Sequence, residues 1–312
     1  MPNFRHIVRT QDFDLDWLRR LYGQATRAEE AVETGIASSM YALTSKMMIT
    51  LFYQPSTRTR FSFETAMRRM GGMVTSTENA RDFSSAAKGE TPEDTIRVVA
   101  GYGDLVVVRH YEEGIAARMA GMDVVPVINA GDGPGQHPTQ ALLDLWTIKK
   151  ERGHLDGLTV ALMGDLKYGR TIHSLIYLLA KYKPKMVYLI SPPELALPTD
   201  IVDYLNRHQV PFQPVDDVRS IADMVDVLYQ TRVQKEYFGS DADYFRVASR
   251  QIVDDSIMRL LSDTAIVMHP LPRVGEIDPA VDSDPRAAYF RQAHNGLFVR
   301  IALVDWIFGG WD

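Results

Sequence analysis

Gln54-Pro55-Ser56-Thr57-Arg58-Thr59-Arg60-Phe61 follows an apolar run, Met47 to Tyr53, and leads into Phe63, Ala66, Met67 and Met70 at helical spacing. The run reads as a buried strand and the spacing as an amphipathic helix. The octet is then the turn between them and the first turn of the helix. A helix N-terminus presents unpaired N–H groups and the positive end of the helix dipole. Hydroxyls and guanidinium groups at that place make an anion site, with phosphate as the expected occupant. A plain helix start, capped by Ser56 or Thr57 with its arginines solvated, would use the same residues.

The strand–helix alternation continues outward from this turn. In the first half, helices are predicted over 12–34, 57–70, 91–101, 112–120 and 137–150, and strands over 47–53, 73–77, 105–108 and 124–128. In the second half, strands are predicted over 158–163, 186–190, 225–229 and 265–268, and helices over 170–180, 199–208, 254–261 and 295–308. Such alternation predicts the α/β class, with mainly parallel sheets flanked by helices. Residues 129–136 read as a Gly-rich turn, 78–90 as a polar mobile loop without periodicity, and 235–250 as a polar loop dotted with aromatics. The domain boundary is expected near Arg152-Gly153-His154, dividing the chain into two α/β domains of similar size.

The chain has 312 residues, enough for two domains with substantial cores. Its 46% hydrophobic and 24% charged residues are ordinary for a globular protein. A net charge of −6 and a pI of about 5.8 argue against a general nucleic-acid or membrane-surface role. An anionic substrate must therefore be held by locally placed cations. The absence of cysteine excludes disulfides, thiolate catalysis and cysteine-ligated zinc, and fits a reducing compartment. The first ten residues carry no signal-like apolar core, and no apolar run reaches the ~18 residues of a membrane span. A cytoplasmic protein is expected. No His-Glu-x-x-His and no ligand-like spacing of acids is found, so neither metal nor cofactor is expected.

In open parallel sheets, ligands bind beyond the carboxyl ends of the strands. Here strand after strand ends in polar, ligand-capable residues: Ser56 to Thr59, Arg109, His137 with Gln140, Arg170, Arg232 with Gln234, and His269 to Arg273. Their recurrence implies a strongly cationic site between the two domains, suited to a phosphate plus carboxylates. His137 at a helix start is expected to be mostly neutral, able to donate a hydrogen bond to a carbonyl oxygen as charge builds on it. A capping or core role would suit it as well. His269, between a strand and a Pro-rich turn, is expected to be structural. Gly164 to Thr171 has the form G-x-x-x-x-G followed by Arg-Thr, without the lysine of a nucleotide loop. Its glycines are expected to allow a tight turn that aims Arg170.

Taken together, Ser56-Thr57-Arg58-Thr59, Arg109-His110, His137-Pro138-Thr139-Gln140 and His269-Pro270-Leu271-Pro272 resemble the carbamoyltransferase superfamily, over nearly the whole chain. Within it they are similar to catalytic chains of the aspartate carbamoyltransferase branch, as are Gly164 to Thr171 and Thr231-Arg232-Val233-Gln234. The reactive cysteine before Leu-Pro in the ornithine branch, and that branch's Asp-x-x-x-Ser-Met-Gly signature, are both absent. The resemblance implies a carbamoyl-phosphate-binding domain over 1–151 plus 293–312 and an aspartate-binding domain over 152–292. It implies that Ser56, Thr57, Arg58 and Thr59 hold phosphate, and that Arg109 bridges phosphate and carbonyl oxygen. His137 and Thr59 would polarise the carbonyl. Gln140 and the carbonyls of Leu271 and Pro272 would fix the carbamoyl NH2. Arg170, Arg232 and Gln234 would bind aspartate. Ser84 and Lys88, from the 78–90 loop, would reach a neighbouring subunit's site, Lys88 toward aspartate. That means a homotrimer with shared sites and leaves room for a separate regulatory chain. The implied reaction is carbamoyl transfer from carbamoyl phosphate to L-aspartate, a step of pyrimidine biosynthesis, with no covalent enzyme intermediate. Alternatives are transfer to another amino acid such as ornithine, an ATPase built on Gly164 to Thr171, and a silent scaffold relative.

Overall fold

A computed structural model describes residues 6–36, 43–235, 238–240, 244 and 252–311. It divides into two compact units, residues 1–143 with 294–312, and residues 144–293. The first unit is built on four strands: β1 (Met47–Phe52), β2 (Met73–Glu78), β3 (Leu105–His110) and β4 (Val127–Asp132). They lie in the order β2-β1-β3-β4, every neighbour parallel. Val106, Val107 and Val108 are all buried, as expected of a strand covered on both faces. One side packs Ile49, Leu51, Val106, Val108 and Val127 with Ile96, Ile115 and Met119.

The helices of this unit are α1 (Leu15–Glu33), α2 (Thr57–Arg69), α3 (Ala80–Phe83), α4 (Pro92–Val99) and α5 (Ile115–Gly121). Local chemistry sets their starts. The Asp14 carboxylate accepts the Trp17 N–H at 2.7 Å at the head of α1, and the Thr91 hydroxyl accepts the Asp94 N–H at 3.2 Å before Pro92 opens α4. The C-terminal tail folds back on α1. Trp311 lies 5.6 Å from the Trp17 ring, its Nε1 donates to Ala302 O at 3.1 Å, and its carbonyl accepts from Arg20 at 2.8 Å.

The second unit has five parallel strands, β5 (Thr159–Met163), β6 (Met186–Ile190), β7 (Phe212–Pro214), β8 (Val227–Gln230) and β9 (Ile266–Met268), in the order β7-β6-β5-β8-β9. Its helices include α7 (Arg170–Leu179), α8 (Thr199–Arg207) and α9 (Asp255–Leu260). The division between units falls inside α6 (Pro138–Arg152) and inside α10 (Tyr289–Ile307). Ala161, Met163, Leu228 and Val267 meet Ile257, Met258 and Tyr289 in its core.

Several sequence expectations are corrected. Residues 129–132 belong to β4 rather than to a turn, because they go on pairing with β3, Asn129 opposite Val108 and Asp132 opposite His110; Ile7 bridges on the other edge, its N–H donating to Val127 O at 2.9 Å and its carbonyl accepting the Asn129 N–H at 2.8 Å. The 78–90 segment is not aperiodic loop throughout but carries α3 and a 3-10 turn, Ser85–Lys88. Its order comes from local bonds that leave no periodic signature: the Ser84 hydroxyl donates to Ala80 O at 2.5 Å and accepts the Ala86 N–H at 3.2 Å. Helix α10 starts at Tyr289, six residues before the expected 295, since buried Tyr289 and Gln292 anchor its first turn. The short edge strand β7 was not anticipated. Most of the expected 235–250 loop lies outside the described residues. Among the described residues, no helix is long and apolar enough to cross a membrane.

Candidate active site

From β1 the chain moves to β2 on one side and then to β3 on the other. The strand order therefore reverses between β1 and β3, the place where open α/β sheets bind ligands outside their carboxyl ends. The first unit puts its predicted residues at this point. Ser56 to Thr59 follow β1 directly, and Arg109 stands in register with Phe52 at the end of β3, where the Tyr53 N–H donates to Arg109 O at 2.8 Å. His137 and Gln140, both buried, begin α6 after β4.

At the head of α2, Ser56 occupies the N-cap position without making a capping bond, so its hydroxyl leaves the first-turn N–H groups uncapped. Thr59 is buried one turn in. The two arginines of the turn differ sharply. Arg60 is committed to its own fold: it meets Glu78 at 2.8 Å, Glu64 at 3.8 Å and the Ser76 hydroxyl at 3.2 Å. Arg58 has an exposed side chain, yet enough protein surrounds its guanidinium that desolvation alone pulls its pKa below the ordinary arginine value. No carboxylate among the described residues offsets that cost. A cation set at a helix N-terminus without a counter-ion is suited to take an anion.

Arg109 is steered by its Nη1, which donates to Ala130 O at 3.1 Å. The turn carrying His137 is braced by a residue that sequence reasoning missed. Asp132 Oδ1 accepts from Asn129 Nδ2 and from the Gln136 N–H, each at 3.0 Å, and its Oδ2 accepts the Gly114 N–H at 3.0 Å. The available signal was Asn129-Ala130-Gly131-Asp132-Gly133, a run suited to side-chain–backbone bonding. At that turn Gly133 has φ 46°, and a Cβ there would lie 2.7 Å from Tyr111 O. His110 is structural: its Nδ1 accepts the Glu112 N–H at 3.0 Å, its ring packs against Tyr53 and Tyr111, and burial pushes its pKa down.

The second unit repeats the arrangement. Its order reverses between β5 and β8. Arg170 opens α7 after β5, and Arg232 and Gln234 follow β8. Gly164, at φ 114°, lets the two strand ends approach: a Cβ there would lie 2.3 Å from Thr231 O. Asp165, fully buried, accepts the N–H groups of Lys167 at 3.1 Å and Tyr168 at 2.8 Å, and takes the Gln234 amide at 3.3 Å. Gln234 Nε2 also donates to Tyr168 O at 3.0 Å, so the loop and Gln234 are locked together. Burial raises the Asp165 pKa, opposed by these donors. The geometry counts against a nucleotide loop, because a buried carboxylate already takes the amides a phosphate would need. Leu271 and Pro272 lie in the turn after β9, beyond His269.

Lys88 is exposed at the end of the 3-10 turn, and Ser84, half-buried, heads it. Within the unit both lie beyond β2, one strand out from Arg58. Among the described residues, no cluster of three or more acids, histidines or cysteines is placed to hold a metal ion.

Residues 5–150 match the family described as aspartate/ornithine carbamoyltransferase, carbamoyl-P binding domain, and residues 156–307 match its Asp/Orn binding domain. A chloroplastic aspartate carbamoyltransferase of Arabidopsis thaliana is 51% identical over 306 residues, covering 98% of this chain and 78% of the relative. The aspartate carbamoyltransferase catalytic subunit of Archaeoglobus fulgidus is 48% identical, covering 96% and 98%. Among solved structures, the catalytic subunit of M. jannaschii aspartate transcarbamoylase superposes with a TM-score of 0.90 at 42% identity, over 97% of this chain and 98% of that one. The Trypanosoma cruzi aspartate transcarbamoylase in complex with carbamoyl phosphate and aspartate gives 0.90 at 38%, over 96% of each.

Proposed function

The chain belongs to the aspartate/ornithine carbamoyltransferase family, and on that premise we propose that it transfers the carbamoyl group of carbamoyl phosphate to the α-amine of L-aspartate. The products are N-carbamoyl-L-aspartate and phosphate, as pyrimidine synthesis requires. The observation that carries this reading is Arg58, a half-enclosed guanidinium with no counter-ion among the described residues, on the uncapped start of α2.

In this reading Ser56, Thr57, Arg58, Thr59 and the first amides of α2 hold the phosphate. Arg109 spans phosphate and carbonyl oxygen. The amine attacks the carbamoyl carbon, and the C–N bond forms as the carbonyl π pair moves onto oxygen. Arg109, Thr59 and His137 stabilise that oxyanion, the main source of acceleration together with positioning. The intermediate then collapses, the C–O bond to phosphate breaks, and the departing phosphate takes the amine proton. No side chain in the set is assigned as general base. Gln140 and the carbonyls of Leu271 and Pro272 receive the carbamoyl NH2, while Arg170, Arg232 and Gln234 receive the aspartate carboxylates.

A homotrimer, with Ser84 and Lys88 lent to a neighbour's site, belongs to the same proposal. Mass measurement with and without candidate regulatory chains decides the assembly. Cytoplasmic residence is also proposed, and cell fractionation decides it, since the plant relatives carry chloroplastic names. The reaction itself is tested with a matrix of amino-acid acceptors and carbamoyl phosphate. Turnover with aspartate is expected; turnover with ornithine and none with aspartate would overturn the reading.

A further inference from the structure

Resting on the carbamoyl-transfer reading, we propose that His269 and Glu276 form a buried dyad that fixes the turn bearing the Leu271 and Pro272 carbonyls. They are positioning residues that make the site select a carbamoyl phosphate over other acyl phosphates.

The two side chains are 1% and 8% exposed. His269 Nδ1 accepts the Leu271 N–H at 2.8 Å, so the ring proton sits on Nε2, which donates to Glu276 Oε1 at 2.7 Å. Glu276 Oε2 accepts the Val274 N–H at 2.9 Å. One dyad thus ties two backbone amides on either side of Pro272 and Arg273. Leu271 has φ 55°, a left-handed conformation that a residue with a Cβ adopts only at a cost. The bond from its own N–H to His269 holds it there.

The dyad is in turn anchored. The His269 N–H donates to Gln292 Oε1 at 2.9 Å, Gln292 Nε2 to Asp144 Oδ1 at 2.6 Å, and the Tyr229 hydroxyl to Asp144 Oδ2 at 2.7 Å. Burial pushes the Glu276 carboxyl up, but the bonds from His269 and Val274 more than offset it and leave it below its ordinary value. Glu276 is therefore a fixed ionised acceptor. None of this holds phosphate. What it holds is a pair of carbonyl acceptors, and only a donor with an NH2 can satisfy them. A methyl in its place would leave them unpaired.

The test compares His269→Asn, His269→Gln and Glu276→Gln in the whole protein. An asparagine amide oxygen stands where Nδ1 stood, and a glutamine amide nitrogen where Nε2 stood. In His269→Gln, the KM for carbamoyl phosphate is expected to rise roughly five- to tenfold, the worth of one hydrogen bond. The KM for aspartate and inhibition by inorganic phosphate should stay unchanged. Inhibition by acetyl phosphate, with a methyl for the NH2, should also stay unchanged, so the carbamoyl-over-acetyl preference falls by the same factor. Glu276→Gln, nearly isosteric, should move the same way. His269→Asn should lose thermal stability yet keep the preference. In His269→Gln and Glu276→Gln, either parallel weakening of every ligand or an unchanged carbamoyl-over-acetyl preference would overturn the dyad's role. A wild-type chain that binds phosphate but does not use carbamoyl phosphate would instead remove the carbamoyl-transfer reading, and this inference with it.

Discussion

Replacing Arg58 with alanine should separate binding from folding. Among the described residues Arg58 has no carboxylate partner, so its removal strands no buried charge there. Unfolding free energy should change by no more than about 0.5 kcal/mol, as for a surface substitution. Phosphate, by contrast, loses a charge-assisted contact worth about 1.5–3 kcal/mol per bond. The exposed side chain argues for the lower half of what a bidentate grip can give, about 3 kcal/mol, or roughly a hundredfold in Kd. Turnover should nearly vanish, since in the proposed reaction the same guanidinium faces the departing phosphate. Calorimetric titration with inorganic phosphate at fixed low salt measures the first quantity. Thermal unfolding with and without phosphate measures the second: ligand at a hundredfold its Kd adds about 2.7 kcal/mol to the wild type and should add almost nothing to the variant. Arg60→Ala is the control. It removes the partner of Glu78 at 2.8 Å and leaves Glu64 buried without one of its cations. That should cost about 2 kcal/mol or more of stability. Near-wild-type phosphate affinity in Arg58→Ala, or a stability loss equal to that of Arg60→Ala, would refute the anion-site argument.

Two other predictions concern the tail and the assembly. Burial raises the Asp305 carboxyl from 3.8 to about 6. The folded state therefore binds this proton more tightly than the unfolded state. Stability should fall as pH rises through that window and stay lowered above it, by up to about 3 kcal/mol. Asp305→Asn should flatten that part of the profile and raise stability at neutral pH; denaturant titrations across the window that stay parallel for the two proteins would count against it. If Lys88 is lent to a neighbour's site, mixing Lys88→Ala chains with Arg58→Ala chains should recover part of the lost activity, because some sites then draw both residues from intact copies. Absence of any recovery in verified hybrid assemblies would sink the shared-site proposal.

Much of the first unit was legible because its signals are local. An apolar run, a hydroxyl- and arginine-filled turn and a helical stripe at 47–70 name β1, the turn after it and α2 without any distant contact. Thr91-Pro92 announces α4 in the same way. The 78–90 segment was misread because its order rests on short-range bonds, among them those of the Ser84 hydroxyl and of the Asn79 amide to Asp82, and on Asn79 at φ 56°, none of which makes a period. The early start of α10 was missed because Tyr289 and Gln292 are fixed by the second unit's core and by Asp144.

The sequence by itself determined the alternation of parallel strands and helices, and the chemistry at the strand ends. Strand length, side-chain period and turn residues are properties of neighbours along the chain. Tertiary structure alone decided which side of β1 and β5 each later strand would join, and so that the Arg58 and Arg170 turns stand at points where strand order reverses. It also decided which cations are available. Arg58 and Arg60 are alike in sequence, but Glu78, eighteen residues beyond Arg60, returns beside β1 and pairs with Arg60 rather than with Arg58. A charge's availability depends on what folds against it, and that contact is made only when the sheet closes.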